Sequence, residues 1–183
     1  MPNVFVLCTG RCGSLTFAKA CSHITNFTVG HETRVGRLGE ERFAYPERHI
    51  EVDNRLSWLL GRLEKAYGPR ALYVHLRRDP QAVAESYARR YGAGIIHAYR
   101  TAIVATRPMQ DDPVAVGLDY CATVNANIEV FLAGKPHKYE VRLEHAAADF
   151  VGFWHRIHAK GDRDAALREF GIAHNATDGP RFA

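Results

Sequence analysis

Two short stretches of this chain carry residues that could bind a phosphate or a sulfate. The first is the loop over residues 9–14 (TGRCGS), which lies between an apolar run and an amphipathic segment and offers Arg11 as a cation. Small residues let a backbone approach an anion closely, and the unpaired N–H groups at the start of a helix favour negative charge. The loop therefore indicates an anion-binding site, although an ordinary strand-turn-helix connection has the same pattern.

The second stretch covers residues 78–86 (RDPQAVAES). Arg78 follows an apolar run, Asp79 is a suitable helix N-cap, and Pro80 suits the first helical position. Ser86 lies nearly two helical turns beyond the cap, so Arg78 and Ser86 could contact one anion. The alternative is that Arg78 pairs with Asp79 or Glu85, and that Ser86 is a solvated helix residue.

Hydrophobic periodicity predicts the elements that position these stretches. Strands are expected at 4–7, 26–30, 49–52, 71–76 and 138–143, with helical spacing between them. This alternation predicts a three-layer α/β domain with a mainly parallel sheet flanked by helices, and the length suits a single domain over residues 1–183. Ligands of such sheets lie beyond the carboxyl ends of the strands, where both stretches and the pair His31 and Glu32 fall.

Composition narrows the class of protein. A hydrophobic fraction of 46% and a charged fraction of 24% are those of a globular protein, and the net charge of +4 suits an anionic ligand without indicating nucleic acid. No apolar run approaches about 18 residues and the start lacks a basic signal region, so we expect a cytoplasmic protein with no membrane partner. The four cysteines are expected to be reduced, and the ten histidines form no zinc motif, so no metal site is expected.

In their order and separation, the two stretches resemble motifs of the sulfotransferases that use 3′-phosphoadenosine 5′-phosphosulfate (PAPS). After the first strand that family has Lys or Arg, then Ser, Thr or Cys, then Gly and Ser or Thr, which residues 11–14 resemble. It also has a strand followed by Arg, Asp or Asn, and Pro, with a Ser eight residues after the Arg, as Arg78 and Ser86 have here. The resemblance extends to residues 141–144 and 174–176.

The resemblance implies a P-loop-type transferase domain that moves a sulfuryl group from PAPS to a hydroxyl or amine of a small-molecule or glycan acceptor, without a metal. Arg11 would stand at the position of the family's catalytic cation, while Arg78 and Ser86 would hold the 3′-phosphate. The residues that would hold the 5′-phosphosulfate are Thr9, Gly10, Arg11, Cys12, Gly13, Ser14, Leu15 and Thr16.

A general base must accept the proton of the acceptor. Glu32 resembles the Glu that many carbohydrate sulfotransferases have just after the second strand, and we favour it on that ground. His31 is the competing candidate because an unperturbed His titrates near neutrality. The chain departs from the family pattern at Leu15, where many members have a second Thr that Thr16 could partly replace. It also lacks the Arg-Lys-Gly segment with which cytosolic members complete the 3′-phosphate site.

Two alternatives come from other classes of protein. A P-loop nucleotide or small-molecule kinase is disfavoured because the Walker lysine is missing after Gly10, and because we expect no Asp after an apolar strand where a carboxylate would hold magnesium. A nucleotide-binding protein that has lost catalysis would explain the missing Arg-Lys-Gly segment. The acceptor itself is not predicted: the arginines of the polar segment, expected to be a loop or lid, could meet an anionic acceptor or be solvated. They are Arg34, Arg37, Arg42 and Arg48.

Overall fold

A computed structural model of the protein describes residues 2–105, 112–172 and 174. The strands of this part are β1 (Val4–Cys8), β2 (Thr28–His31), β3 (His49–Val52), β4 (Leu72–Arg77) and β5 (Lys138–Arg142). Its α-helices are α1 (Ser14–Cys21), α2 (Leu60–Tyr67), α3 (Pro80–Ala88), α4 (Gly94–Ala98), α5 (Pro113–Ala133), α6 (Ala146–Arg156) and α7 (Arg163–Arg168). It also has 3-10 helices over Gly39–Phe43 and Asn54–Trp58, and a π-helix over Tyr99–Ile103.

The five strands form one parallel sheet in the order β2-β3-β1-β4-β5. This confirms the predicted α/β class with a parallel sheet of the P-loop type. The register aligns the carboxyl ends, because Val52 pairs with both His31 and Val6, and Leu76 pairs with both Cys8 and Val141. The loops that follow β1, β2 and β4 therefore leave the sheet at the same edge.

Helices cover both faces of the sheet, so the central strand is buried on both sides. Side chains of β1 alternate: Val4, Val6 and Cys8 pack in the core under α1, α6 and α7, whereas Phe5 and Leu7 pack in the core under α2, α3, α4 and α5. A strand buried on both faces is apolar throughout, which explains the unbroken run that begins the chain. No helix in the described ranges is long and apolar enough to cross a bilayer.

Aspartate caps begin several helices, as the sequence predicts for Asp79. Its carboxylate accepts a hydrogen bond from the Ala82 backbone N–H at 2.8 Å, and Pro80 is the first residue of α3. The helical spacing that begins at Pro80 predicts a helix to about Tyr91. This prediction is wrong, because α3 ends at Ala88 and the chain then forms a turn. The sequence also predicts a helix over 95–105 that ends before Arg107 and Pro108. In the structure this stretch divides into α4 and the π-helix, and residues 107 and 108 lie outside the described residues.

Helix α5 lies directly against α3. A Cβ atom on Gly117 would be 2.8 Å from the Cα atom of Ala84, so only glycine allows this approach of the two backbones. Because α3 carries Ser86, the packing of α5 fixes the position of one predicted ligand-binding residue.

The polar segment after β2 is anchored by a buried ion pair. Arg42 Nη2 donates to Asp53 Oδ2 at 2.5 Å, and Arg42 Nη1 donates to Tyr45 Oη at 2.8 Å. The Arg42 residue is 5% exposed and Asp53 is 0% exposed. Burial raises the pKa of Asp53, and the Arg42 guanidinium offsets part of that rise. The alternative that Arg42 is solvated is therefore wrong, because its guanidinium is held in the protein interior.

We expect Asp53→Asn to lower the free energy of unfolding by about 3–5 kcal/mol, because it leaves the Arg42 cation buried without its carboxylate. Urea unfolding monitored by circular dichroism measures the loss. The matched control is Arg37→Ala, which breaks an exposed pair with Glu41 at 3.6 Å and should cost at most about 1 kcal/mol. Similar losses in the two variants would contradict the anchoring role of the buried pair.

Candidate functional site

The loop between β1 and α1 has the backbone conformation of an anion cradle. Gly10, Arg11 and Gly13 have φ angles of 76°, 55° and 80°, and turns of this kind direct backbone N–H groups towards a common centre. Gly13 is the N-cap of α1 and makes no side-chain cap. The first backbone bond of the helix runs from the Phe17 N–H to the Gly13 carbonyl at 2.8 Å, so the N–H groups of residues 14–16 precede it and face the loop.

Two tyrosine hydroxyls hold this loop in place. Tyr87 Oη on α3 and Tyr120 Oη on α5 donate to the Thr9 carbonyl oxygen at 2.6 and 2.9 Å. Burial raises the pKa of both tyrosines, which keeps the two hydroxyls protonated as donors. Neither tyrosine was identified as a site residue from the sequence, because the partner of each is a backbone atom far along the chain.

Side chains enclose Gly10, and its positive φ angle would strain the backbone of any other residue at this position. A Cβ atom there would lie 2.6 Å from both Asn54 Nδ2 and Tyr87 Oη. A side chain at Gly10 would therefore displace the tyrosine hydroxyl that holds the loop.

The two stretches predicted to bind anions meet in space. Arg11 Nε donates to Ser86 Oγ at 3.0 Å, and Arg78 Nη1 donates to the Arg11 carbonyl oxygen at 2.9 Å. Ser86 is 3% exposed, so the alternative of a solvated helix residue is wrong. The acidic residues considered as partners for Arg78 have other contacts: Asp79 caps α3, and Glu85 accepts from the Gln81 amide at 2.9 Å.

Positive charge is concentrated around Arg11. Burial lowers the pKa of Arg11, and the neighbouring cations Arg90, Arg78 and Arg89 lower it further. A bound anion would offset both the burial cost and the repulsion among these guanidinium groups.

The remaining loop residues contribute in different ways. Cys12 is fully buried, so its thiol belongs to the core and only its backbone faces the loop. Thr16 is buried and Leu15 is half-buried in the first turn of α1. Ser14 is half-buried, and its Oγ atom lies 3.2 Å from His31 Nε2.

The two candidate bases lie at the end of β2 and have different partners. His31 contacts Ser14 at the start of α1, as given above. Glu32 has a left-handed φ of 55°, and its Oε2 atom accepts from Arg55 Nη1 at 2.6 Å. Sequence reasoning missed Arg55, although its position just after β3 places it at the same edge of the sheet. The roles of His31 and Glu32 stay predictions.

The end of β5 closes the site from the other side. Glu144 Oε1 accepts from the backbone N–H of Asp79 at 2.7 Å, and Leu143 packs so closely on Gly13 that an added Cβ atom would be 2.6 Å from its Cδ1. The segment 141–144, singled out by resemblance, therefore contacts both stretches. The resemblance also includes residues 174–176, but residues 175 and 176 lie outside the described residues.

Contrary to the expectation from the sequence, an aspartate does follow a buried strand. Asp53 directly follows β3, next to β1, where a kinase could hold magnesium through a carboxylate. One oxygen of this carboxylate bonds Arg42 and the other accepts from the Arg55 backbone N–H at 2.8 Å. Within the described ranges, no group of three or more His, Cys, Asp or Glu residues is placed to hold a metal ion.

Comparison with known proteins assigns no family to the chain. A scan against protein-family models finds no match, and a search of curated proteins also finds none. The function therefore has to be argued from the geometry of the site.

We expect Gly10→Ala to reduce stability more than Gly36→Ala. Both glycines have φ near +80°, so each substitution introduces backbone strain of about 1–2 kcal/mol. Only at Gly10 does the new methyl group also meet side chains, because nothing lies within 4 Å of a Cβ atom on Gly36. Urea unfolding measures the free energy of unfolding of the two variants. Equal losses of stability would show that the side chains around Gly10 do not add to the cost of the substitution.

Proposed function

We propose that this protein is a sulfotransferase that uses PAPS as the sulfuryl donor. The observation that carries the proposal is the meeting of the two stretches, in which Arg11 bonds Ser86 and Arg78 bonds the Arg11 carbonyl. Two separate anion-binding elements at one edge of a parallel sheet suit a donor that carries phosphate groups at both its 3′ and 5′ positions. A single-phosphate ligand would leave one of them unused.

The donor's 5′-phosphosulfate would lie against the N–H groups of the loop and the first turn of α1. Its 3′-phosphate would lie beside Arg78 and Ser86, where Arg89 and Arg90 add positive charge. In this arrangement the fold supplies fixed dipoles and cations, which need little reorganisation when charge develops.

The donor supplies the sulfuryl group, and the residues of this chain stabilise its transfer. The acceptor oxygen forms a bond to sulfur while the bond from sulfur to the 5′-phosphate oxygen breaks, and the electron pair of that bond stays on the phosphate. Arg11 would stabilise the negative charge that grows there. Glu32 would accept the acceptor proton, and His31 would orient the start of α1 through Ser14.

A cytoplasmic location is part of the proposal. Reducing compartments keep thiols free, and free thiols are found at every described cysteine. These are Cys8, Cys12, Cys21 and Cys121.

Ligand selectivity tests the donor. We expect 3′-phosphoadenosine 5′-phosphate, the product that remains after the donor has lost its sulfuryl group, to raise the melting temperature of the protein. At a ligand concentration one hundred times its Kd, the free energy of unfolding should increase by about 2.7 kcal/mol. ATP with magnesium should give a smaller shift at equal concentration, because it lacks the 3′-phosphate. Differential scanning fluorimetry compares the two ligands. Selective stabilisation by ATP with magnesium would favour the kinase and overturn the proposal.

Two adjacent arginines provide a matched test of the 3′-phosphate site. Arg78→Ala should weaken binding of 3′-phosphoadenosine 5′-phosphate by roughly 10- to 100-fold, because it removes charge-assisted hydrogen bonds worth about 1.5–3 kcal/mol. Arg77→Ala should have little effect, since Arg77 pairs with Glu129 at 2.9 Å and Glu140 at 3.5 Å. Calorimetric titration measures both. Equal losses of affinity in the two variants would show that Arg78 contributes only its positive charge and no specific contact to the phosphate.

The division between binding and proton transfer is tested separately. Glu32→Gln should lower kcat by roughly 10²- to 10⁴-fold while leaving the Kd for 3′-phosphoadenosine 5′-phosphate unchanged. His31→Gln serves as the competing variant in the same transfer assay with labelled PAPS. A larger loss of kcat in His31→Gln would exchange the two roles.

A further inference from the structure

A cavity of about 460 Å³ adjoins the Glu32–Arg55 pair, since Arg55 forms part of its wall. Cavities of roughly 300–1,000 Å³ with mainly apolar walls commonly bury small-molecule ligands. The apolar wall comes from three segments of the chain. It includes Val35, Trp58, Leu59, Ile95, Tyr99 and Ile103.

The cations in the cavity wall are balanced by carboxylates. Arg55 bonds Glu32, and Arg42 is held by the buried Asp53. The other three arginines of the polar segment also contact protein groups. Arg34 Nη2 donates to the Ala44 carbonyl at 2.5 Å, Arg37 pairs with Glu41, and the Arg48 guanidinium lies 5.8 Å from the centre of the Phe27 ring. The wall therefore provides no surplus positive charge that would select an anionic acceptor.

Exposed apolar side chains occur on two of the segments that form the cavity wall. Among the described residues, six large hydrophobic side chains are exposed, and four of them lie on the two segments that contribute Val35 and Ile103 to the wall. These four are Leu38 at 85%, Ile103 at 61%, Val104 at 43% and Val35 at 41% exposure. We call them the apolar rim. Val35 and Ile103 belong both to the wall and to the rim, so an apolar ligand that fills the cavity can extend onto exposed apolar side chains.

We infer that the acceptor is an uncharged alcohol whose hydroxyl is carried on an extended apolar body. The hydroxyl lies at Glu32 and Arg55, and the apolar body follows Trp58 and Tyr99 towards the apolar rim. A glycan fits poorly, because its many hydroxyls would lose water against apolar walls without gaining partners. This inference rests on the proposed function, because that function requires the hydroxyl to react. The hydroxyl oxygen takes the sulfuryl group, and the hydroxyl proton passes to Glu32.

A homologous series of alcohols tests the cavity directly. We expect affinity to rise about fourfold for each methylene from 1-butanol to 1-octanol, because each added CH₂ leaves water for the apolar wall. Binding is followed by the fluorescence of Trp58, since Trp154 packs in the core on the other face of the sheet. Glucose is the polar control and should not bind. Affinity that does not depend on chain length would overturn the inference.

Two alanines on one helical run provide the matched variants. Ala98 lines the cavity, whereas Ala102 is not among its lining residues, and both are exposed, so neither substitution disturbs the core. Ala98→Phe fills the cavity and should weaken 1-octanol binding at least fivefold, and Ala102→Phe should leave it unchanged. Equal affinity in the two variants would contradict binding in this cavity.

The outcome separates this inference from the proposed function. Calorimetry with 3′-phosphoadenosine 5′-phosphate is run on the same protein, and octyl sulfate formed from PAPS and 1-octanol is detected by mass spectrometry. Donor-product binding together with octyl sulfate formation supports both. Donor-product binding without length-dependent alcohol binding overturns the acceptor class alone. Length-dependent alcohol binding without donor-product binding overturns the proposed function, and with it the acceptor role of the cavity.

Discussion

The Thr9 carbonyl oxygen is the point on which the candidate site depends. It accepts hydrogen bonds from the hydroxyls of Tyr87 and Tyr120, which come from two helices packed against each other. A carbonyl at the end of the central strand is thereby joined to α3, which carries Ser86, and to α5, which holds α3 in position through Gly117. The loop, the arginine cluster and the end of β4 keep their relative places because of this link.

Much of the fold follows from local patterns in the sequence. The unbroken apolar run of β1 predicts a strand buried on both faces, and the Asp79-Pro80 pair predicts the start of α3, because a cap and a fixed φ act within one turn. The nearness of Arg11 to Ser86 follows from a general rule as well, since loops after parallel strands meet at one edge of the sheet. These features need no knowledge of side-chain packing.

Other features depend on contacts that no local pattern encodes. The hydroxyl of Tyr120 lies 111 positions from the carbonyl it bonds, and an apolar stripe on α5 is equally consistent with a purely structural tyrosine. Arg42 lies in a polar segment that contains glycines, and such a segment predicts a residue on the surface. Arg42 is buried instead because the Asp53 carboxylate, which lies on another part of the chain, binds its guanidinium. The cavity forms only where three segments meet, and no single segment shows its apolar wall. Considered without the other two segments, the arginines of the polar segment suggested an anionic acceptor.

The loop has a further consequence for the speed of ligand capture. Its strained backbone is already held by the two tyrosines, so the proposed donor would not have to wait for a segment to fold around it. The charges of Arg11, Arg78, Arg89 and Arg90 lie together beside this preformed cradle. Long-range attraction of this kind accelerates diffusional encounter and is screened by ions over about 8–10 Å at physiological salt. For the proposed donor, we therefore expect ionic strength to change the association rate more than the lifetime of the complex.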